Sequence, residues 1–122
     1  MNTLKDVRDE ISVQLGTAGV SCYGYVPERV NTPAAIVEAG NPYMEQGETF
    51  TDFVVRMNVV LLVGTKTNEN ATNELDQLIC TAVDVLETFD IESVNTPEAF
   101  DVNGVQYMGV RVNLMTNKDI QT

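Results

Sequence analysis

Residues Phe50–Val63 (FTDFVVRMNVVLLV) decide the fold, because they read as one long β-strand. Every second residue is apolar along one side of this strand, in the series Val55, Met57, Val59, Leu61 and Val63. The alternate series begins with the polar Arg56 and Asn58 and ends in apolar residues. This pattern predicts a strand that is half exposed in its first part and buried on both faces in its second part.

Two segments with helical periodicity lie on either side of this strand in the sequence. Residues 3–17 carry apolar side chains at the three- and four-residue spacing of one helix face, beginning with Leu4 and Val7. Residues 69–88 repeat that spacing around Leu75, with acidic residues between the apolar ones. We therefore predict one helix before the long strand and one after it.

Shorter stretches rich in β-branched and aromatic residues predict the other strands, at 20–26, 34–39, 91–94 and 105–116. Gly40-Asn41-Pro42 predicts a turn after the second of these, and Asn103-Gly104 predicts a tight hairpin turn before the last. The resulting order is α-β-β-β-α-β-β. We predict a single domain over residues 1–122 with an α+β fold, in which two helices pack on one face of a mainly antiparallel sheet.

The pattern V-R-x-N occurs in two predicted strands, at 55–58 and 110–113. In each strand the arginine and the asparagine lie on the face opposite the main apolar series. One interpretation is a solvated sheet face. The other is a subunit interface, because arginine is enriched at interfaces and pairs well with a neighbour's carboxylates. The candidate interface residues are Arg56, Asn58, Arg111 and Asn113.

The segment 41–52 contains few apolar side chains, and Gln46-Gly47-Glu48 is typical of a hairpin tip or a mobile arm. We expect this segment to be a poorly packed arm that is ordered mainly by neighbouring subunits. Its candidate contact residues are Tyr43, Met44, Glu45 and Phe50.

The charge balance disfavours nucleic-acid and membrane partners. The 122 residues include 18 acidic and 7 basic residues, for a formal charge of −11. A protein whose main activity is nucleic-acid binding needs a basic face to replace the phosphate counterions, and seven scattered cations do not form one. No apolar run approaches the roughly 18 residues of a membrane-spanning helix, and the first residues lack the order of a signal peptide. We expect no membrane association.

The residue types argue against catalysis. The chain has no histidine, which removes the commonest general base and the commonest transition-metal ligand. Its two cysteines, Cys22 and Cys80, are too few for a zinc site, and we expect both to be reduced and buried, with a disulfide as the alternative. We predict no enzyme activity, no cofactor and no metal site. A small ligand-binding module or enzyme stays as an alternative.

Three successive segments resemble tail terminator proteins of long-tailed bacteriophages. They are residues 31–43 (NTPAAIVEAGNPY), 53–64 (FVVRMNVVLLVG) and 67–86 (TNENATNELDQLICTAVDVL). An N-terminal helix, a proline-bounded strand, a long R-x-N strand and a second helix follow one another in that family, and the resemblance covers about residues 3–115.

The resemblance implies a virion structural protein, made in the host cytoplasm, which forms a ring at the head-proximal end of the tail tube. The ring is usually a hexamer; it stops tube polymerisation and joins the tail to the head connector. Its implied partners are further copies of itself, the major tail tube protein and a connector or neck protein. DNA passes through the lumen without specific binding, which an acidic ring favours. A head-completion or neck ring protein, or another minor tail protein, is the alternative that the same fold allows.

Overall fold

The protein, in this computed structural model, is α+β, with two helices and a six-stranded, mostly antiparallel sheet. The structure describes residues 3–24, 30, 32–49, 51–64 and 68–119. In chain order the elements are α1 (Thr3–Thr17), β1 (Ser21–Tyr23), β2 (Ala34–Gln46), β3 (Asp52–Gly64), α2 (Asn68–Val85), β4 (Asp90–Val94), β5 (Glu98–Val102) and β6 (Val105–Asp119). Helix α1 has the predicted bounds, whereas α2 ends three residues before the predicted end.

The two long strands β3 and β6 lie at the centre of the sheet. Their antiparallel register runs without a shift from Asp52 opposite Asp119 to Gly64 opposite Tyr107. Strand β2 pairs with the other side of β3, and β1 adds to β2 as the one parallel pair among the described strands. Strands β4 and β5 follow one another along the free side of β6. The sheet order is therefore β1-β2-β3-β6, with β4 and β5 sharing the last position.

Strand β2 is longer than the sequence indicates. The predicted turn at Gly40-Asn41-Pro42 is wrong, because pairing with β3 resumes after it. Ala39 lies opposite Met57 and Met44 opposite Val55, so the four residues 40–43 face one residue of β3. A Cβ atom on Gly40 would lie 2.6 Å from the Cβ of Arg56, so this irregularity needs glycine at its first position.

Strand β5 is absent from the predicted order. The structure pairs it with β6 as a hairpin around Asn103 and Gly104, whose φ angles are 52° and 85°. Two positive φ angles are what a type I′ turn requires, so the turn prediction is confirmed. The backbone N–H of Gly104 also donates to the Asp101 carboxylate at 2.9 Å.

Buried apolar side chains form two clusters. The main cluster combines buried residues of both helices with the predicted apolar series of β3. The helix α1 contributes Val7, Ile11 and Leu15, and α2 with the segment after it contributes Ala71, Leu75, Leu78, Ala82, Leu86 and Phe89. The second cluster contains Ile36, Val60, Leu62 and Val102, with Phe100 and Tyr107 packed against it. Val60 and Leu62 alternate with the main-cluster residues of β3, so this strand is buried on both sides in its second part, as predicted.

Candidate polar sheet face

The four predicted interface residues lie together on one face of the central strands. Asn58 of β3 is directly opposite Asn113 of β6, and Arg111 is opposite Val60, two residues along from Asn58. Because side chains alternate across a strand, Arg56 shares this face with Asn58 and Val60. The V-R-x-N repeat therefore brings two guanidinium groups and two amides onto one surface, which we call the polar sheet face.

Arg56 is held by two carboxylates of its own chain. Its Nη1 donates to Oε1 of Glu45 on β2, and its Nε lies 3.3 Å from Oε1 of Glu92 on β4. The contact with Glu92 crosses over β6, which lies between β3 and β4 in the sheet. One side chain thus connects β2, β3 and β4.

Arg111 on β6 likewise contacts two carboxylates, one on β2 and one on β5. Its Nε donates to Oε1 of Glu38 at 2.6 Å, over the intervening β3, and its Nη1 lies 3.9 Å from Oε1 of Glu98 on β5. The guanidinium also stacks over the ring of Phe100, with its carbon 5.4 Å from the ring centre. Arg111 therefore marks the border between the polar residues of this face and its apolar second cluster.

These contacts bear on the two interpretations of the V-R-x-N repeat. Arg56 and Arg111 were candidates for pairing with carboxylates of a neighbouring subunit, and each has two carboxylate partners within the chain. The subunit interface stays a prediction. Sequence reasoning missed the four partners because they lie on β2, β4 and β5, whose register it did not predict. The sequence showed that these segments contain glutamates, two of them in β2, but not that the glutamates would face the arginines.

Amide and hydroxyl side chains lie on the part of this face beside β4. The side-chain Nδ2 of Asn113 is 2.9 Å from both Oγ of Ser93 and Oδ1 of Asn95. Ser93 and Asn113 also line a depression of about 270 Å³, together with Asn41, Arg56, Asn58 and Glu92. The surface offers hydrogen-bond donors and acceptors but no apolar anchor.

The predicted contact arm is more closely packed than we expected. Tyr43 and Met44 both pack against the main apolar cluster, and the Tyr43 hydroxyl lies 3.1 Å from Nη2 of Arg8 on α1. Glu45 is exposed apart from its contact with Arg56, and Phe50 lies outside the described residues. Residues 41–46 are thus part of the sheet, although they can still serve as a contact surface.

Arg8 is a structural residue that the sequence analysis did not single out. Its Nη1 lies 3.1 Å from the carbonyl oxygens of both Gly24 and Val37. With Tyr43, these contacts connect α1 to the end of β1 and to two parts of β2. Arg8 lies off the predicted apolar stripe of α1, so helical periodicity gives no sign of these contacts.

The two cysteines differ in their surroundings. Both are free thiols; Cys22 is half buried, and Cys80 is exposed on α2, so the prediction that both are buried is wrong for Cys80. Burial raises the pKa of the Cys22 thiol, and the nearby Ser12 hydroxyl opposes that shift in part. No group of three or more metal-ligating side chains occurs in the described part of the chain.

A wider groove of about 350 Å³ lies beside α2. Its lining residues are Ala18, Val20, Thr32, Pro33, Val63, Glu74, Gln77, Leu78 and Thr81. The floor is apolar because Val20, Val63 and Leu78 belong to the main cluster.

None of the described helices is long and apolar enough to cross a membrane. Comparison of the chain with protein-family models and with curated protein sequences finds no match.

Proposed function

We propose that the chain is a virion structural protein of the tail terminator type. In this proposal it forms a ring, a hexamer, at the head-proximal end of a phage tail tube. The ring stops tube polymerisation and presents the surface that joins the head connector. The observation that carries the proposal is the order of elements: α1, a strand from Ala34, the long strand β3 with Arg56 and Asn58, and then α2. This is the order that the sequence resemblance implies.

The arrangement of the two faces of the sheet supports a structural role. We infer that α1 and α2 cover the same face, because buried side chains of both helices join Val55, Met57 and Val59 in one cluster. Arg56 and Asn58 alternate with those residues, so the polar sheet face would be the side without helices. A subunit built this way offers a rigid, hydrogen-bonding surface to another protein.

The charge of the chain suits a ring around DNA. Each copy carries a formal charge of −11, and both arginines of the polar sheet face are already paired with carboxylates. A lumen lined by such a protein offers few free cations to phosphates, so DNA moves through it without being bound. The partners in this proposal are further copies of the chain, the tail tube protein and a connector or neck protein.

A tube-length assay tests the proposed function. Purified protein is added to growing tail tubes, and the length distribution is measured by electron microscopy. We expect shorter tubes, each with a ring at one end, as the protein concentration rises. The control is Leu75→Asp, which we expect to unfold the protein because it buries an unpaired carboxylate. Tubes of unchanged length without bound rings would contradict the proposal. Binding to the head connector without any effect on tubes would indicate the neck protein instead.

A further inference from the structure

One end of the sheet has only three strands and two open edges. The residue rows there are Met44–Val55–Thr116, Glu45–Val54–Asn117 and Gln46–Phe53–Lys118. We call this region the narrow end. The pairing of β4 with β6 stops at Met115, opposite Asp90, and β1 pairs only with residues 34–36 of β2. Among the described residues, no strand therefore covers the outer side of β2 or β6 at the narrow end.

The two open edges share three rows and run in the same direction. The open side of β6 covers residues 116–119, and that of β2 continues from these rows back to residue 37, where pairing with β1 has ended. Because β2 and β6 are each antiparallel to β3, they run parallel to one another. A rotation about a ring axis keeps strand direction along that axis, so it can bring the β2 edge of one copy beside the β6 edge of the next. A two-fold axis would instead place an edge against its own counterpart.

The edge formed by β4 and β5 is protected against pairing. This edge has a register shift between Ile91 and Ser93, Pro97 between its two strands, and the exposed acidic residues Asp90 and Asp101. Irregular register, proline and charge are the usual ways in which proteins block edge-to-edge pairing. At the narrow end, the Nζ of Lys118 lies 3.7 Å from Glu10 of α1, so its ammonium group is engaged with the helix.

We propose that neighbouring copies of this chain join by strand addition, with residues 44–46 of one copy beside residues 116–118 of the next. The inference rests on the proposed ring function and names the surface that closes the ring. Unpaired N–H and C=O groups on each edge would gain partners without a change in the fold of the subunit. The contact is heterologous, so each copy uses both edges once.

Thiol cross-linking tests this inference. In a background with Cys22→Ala and Cys80→Ser, one chain receives Gln46→Cys and Asn117→Cys, two exposed positions on opposite edges. After treatment with a bifunctional maleimide, we expect covalent species at integral multiples of the monomer mass, from dimers upward. Each single variant should stay monomeric, because a heterologous contact never places a position against itself. Gln46→Cys with Val94→Cys, which uses the protected edge, is the matched control and should also stay monomeric.

The outcomes separate the inference from the proposed function. A double variant that stays monomeric, or single variants that cross-link as well as the double variant, would overturn strand addition. The same treatment is applied to protein bound at tube ends in the length assay. Rings that stop tube growth but lack the 46–117 cross-link would refute the inference and leave the proposed function standing. Cross-linked rings that leave tube length unchanged would support strand addition and contradict the proposed function.

Discussion

Nε of Arg111 lies 2.6 Å from Oε1 of Glu38, although β3 lies between the two strands that carry these residues. Arg56 crosses β6 in the opposite sense to reach Glu92. The two arginines therefore join non-adjacent strands across the same face. Each of these ion pairs therefore holds together two strands that share no backbone hydrogen bonds.

The first prediction concerns charge reversal at Arg111. The variant Arg111→Glu would place a third carboxylate between Glu38 and Glu98, so we expect the free energy of unfolding to fall by about 1 kcal/mol, the size of a partly exposed ion pair. Urea denaturation followed by circular dichroism measures this change. The double variant Glu38→Arg/Arg111→Glu restores opposite charges and should recover most of the loss. Equal stability of all three proteins would mean that the pair contributes nothing.

The second prediction concerns the main apolar cluster. Leu75 is 1% exposed, so Leu75→Asp would bury an unpaired carboxylate and should unfold the protein. Gln77→Asp, at an exposed position two residues away on the same helix, should leave the circular dichroism spectrum unchanged. A folded Leu75→Asp protein would show that α2 buries a different side.

The third prediction concerns Gly109 on β6. A Cβ atom there would lie 2.7 Å from the carbonyl oxygen of Leu61 and equally close to the side chains of Leu62 and Phe100. We expect Gly109→Ala to lower the free energy of unfolding by about 1–3 kcal/mol, the usual cost of overpacking.

Gly16 provides the control for that substitution. A Cβ atom at Gly16, in the last turn of α1, would meet no atom within 4 Å apart from the adjoining backbone of its own helix. Gly16→Ala should therefore be neutral or stabilise by up to about 1 kcal/mol, because alanine restricts the unfolded chain. Thermal denaturation of both variants decides the comparison, and equal effects would contradict the close approach at Gly109.

The fourth prediction concerns thiol reactivity. Because burial raises the pKa of Cys22, its reactive thiolate fraction at pH 8 is smaller than that of an ordinary cysteine. We expect iodoacetamide to modify the exposed Cys80 first, and modification of Cys22 to speed up only at higher pH. Mass spectrometry of timed samples measures both rates.

Replacement of both cysteines by alanine should leave assembly unchanged. A loss of stability that occurs only under oxidising conditions would instead indicate a disulfide.

The fifth prediction concerns salt. Each copy brings a formal charge of −11 to the proposed ring, and ring closure places these charges within or near the Debye length of about 8 Å at physiological salt. We expect isolated protein to assemble weakly at low salt and better as salt rises. Sedimentation velocity across a salt series measures the change. Rings that dissociate as salt rises would show that attraction between charged patches dominates.

Local periodicity was enough to predict the elements that are long and regular. The alternating series along β3, the spacing around Leu75 and the turn at Asn103-Gly104 each depend on neighbouring residues alone, and the structure confirms them. The V-R-x-N repeat likewise predicted which residues share a face, because side-chain alternation follows directly from strand geometry.

Features that depend on register between distant strands could not be predicted. Gly40-Asn41-Pro42 carries a strong turn signal, yet the partner strand continues past it and holds both parts of β2 in the sheet. The carboxylate partners of Arg56 and Arg111 are found only once the order β2-β3-β6-β4 is known. The contacts of Arg8 could not be predicted for the same reason, since its acceptors come from other parts of the chain.

The contacts of Arg8 also bear on the kinetics of folding. Its three acceptors lie 16, 29 and 35 positions along the chain. Helix α1 forms from local contacts, but its arginine finds these partners only after the strand that follows and the irregular part of β2 are in place. Closing such long loops costs entropy before any contact repays it. We therefore expect Arg8 to fix α1 in place only after β1 and both parts of β2 have formed, whereas pairing of β3 with β6 must close still longer loops.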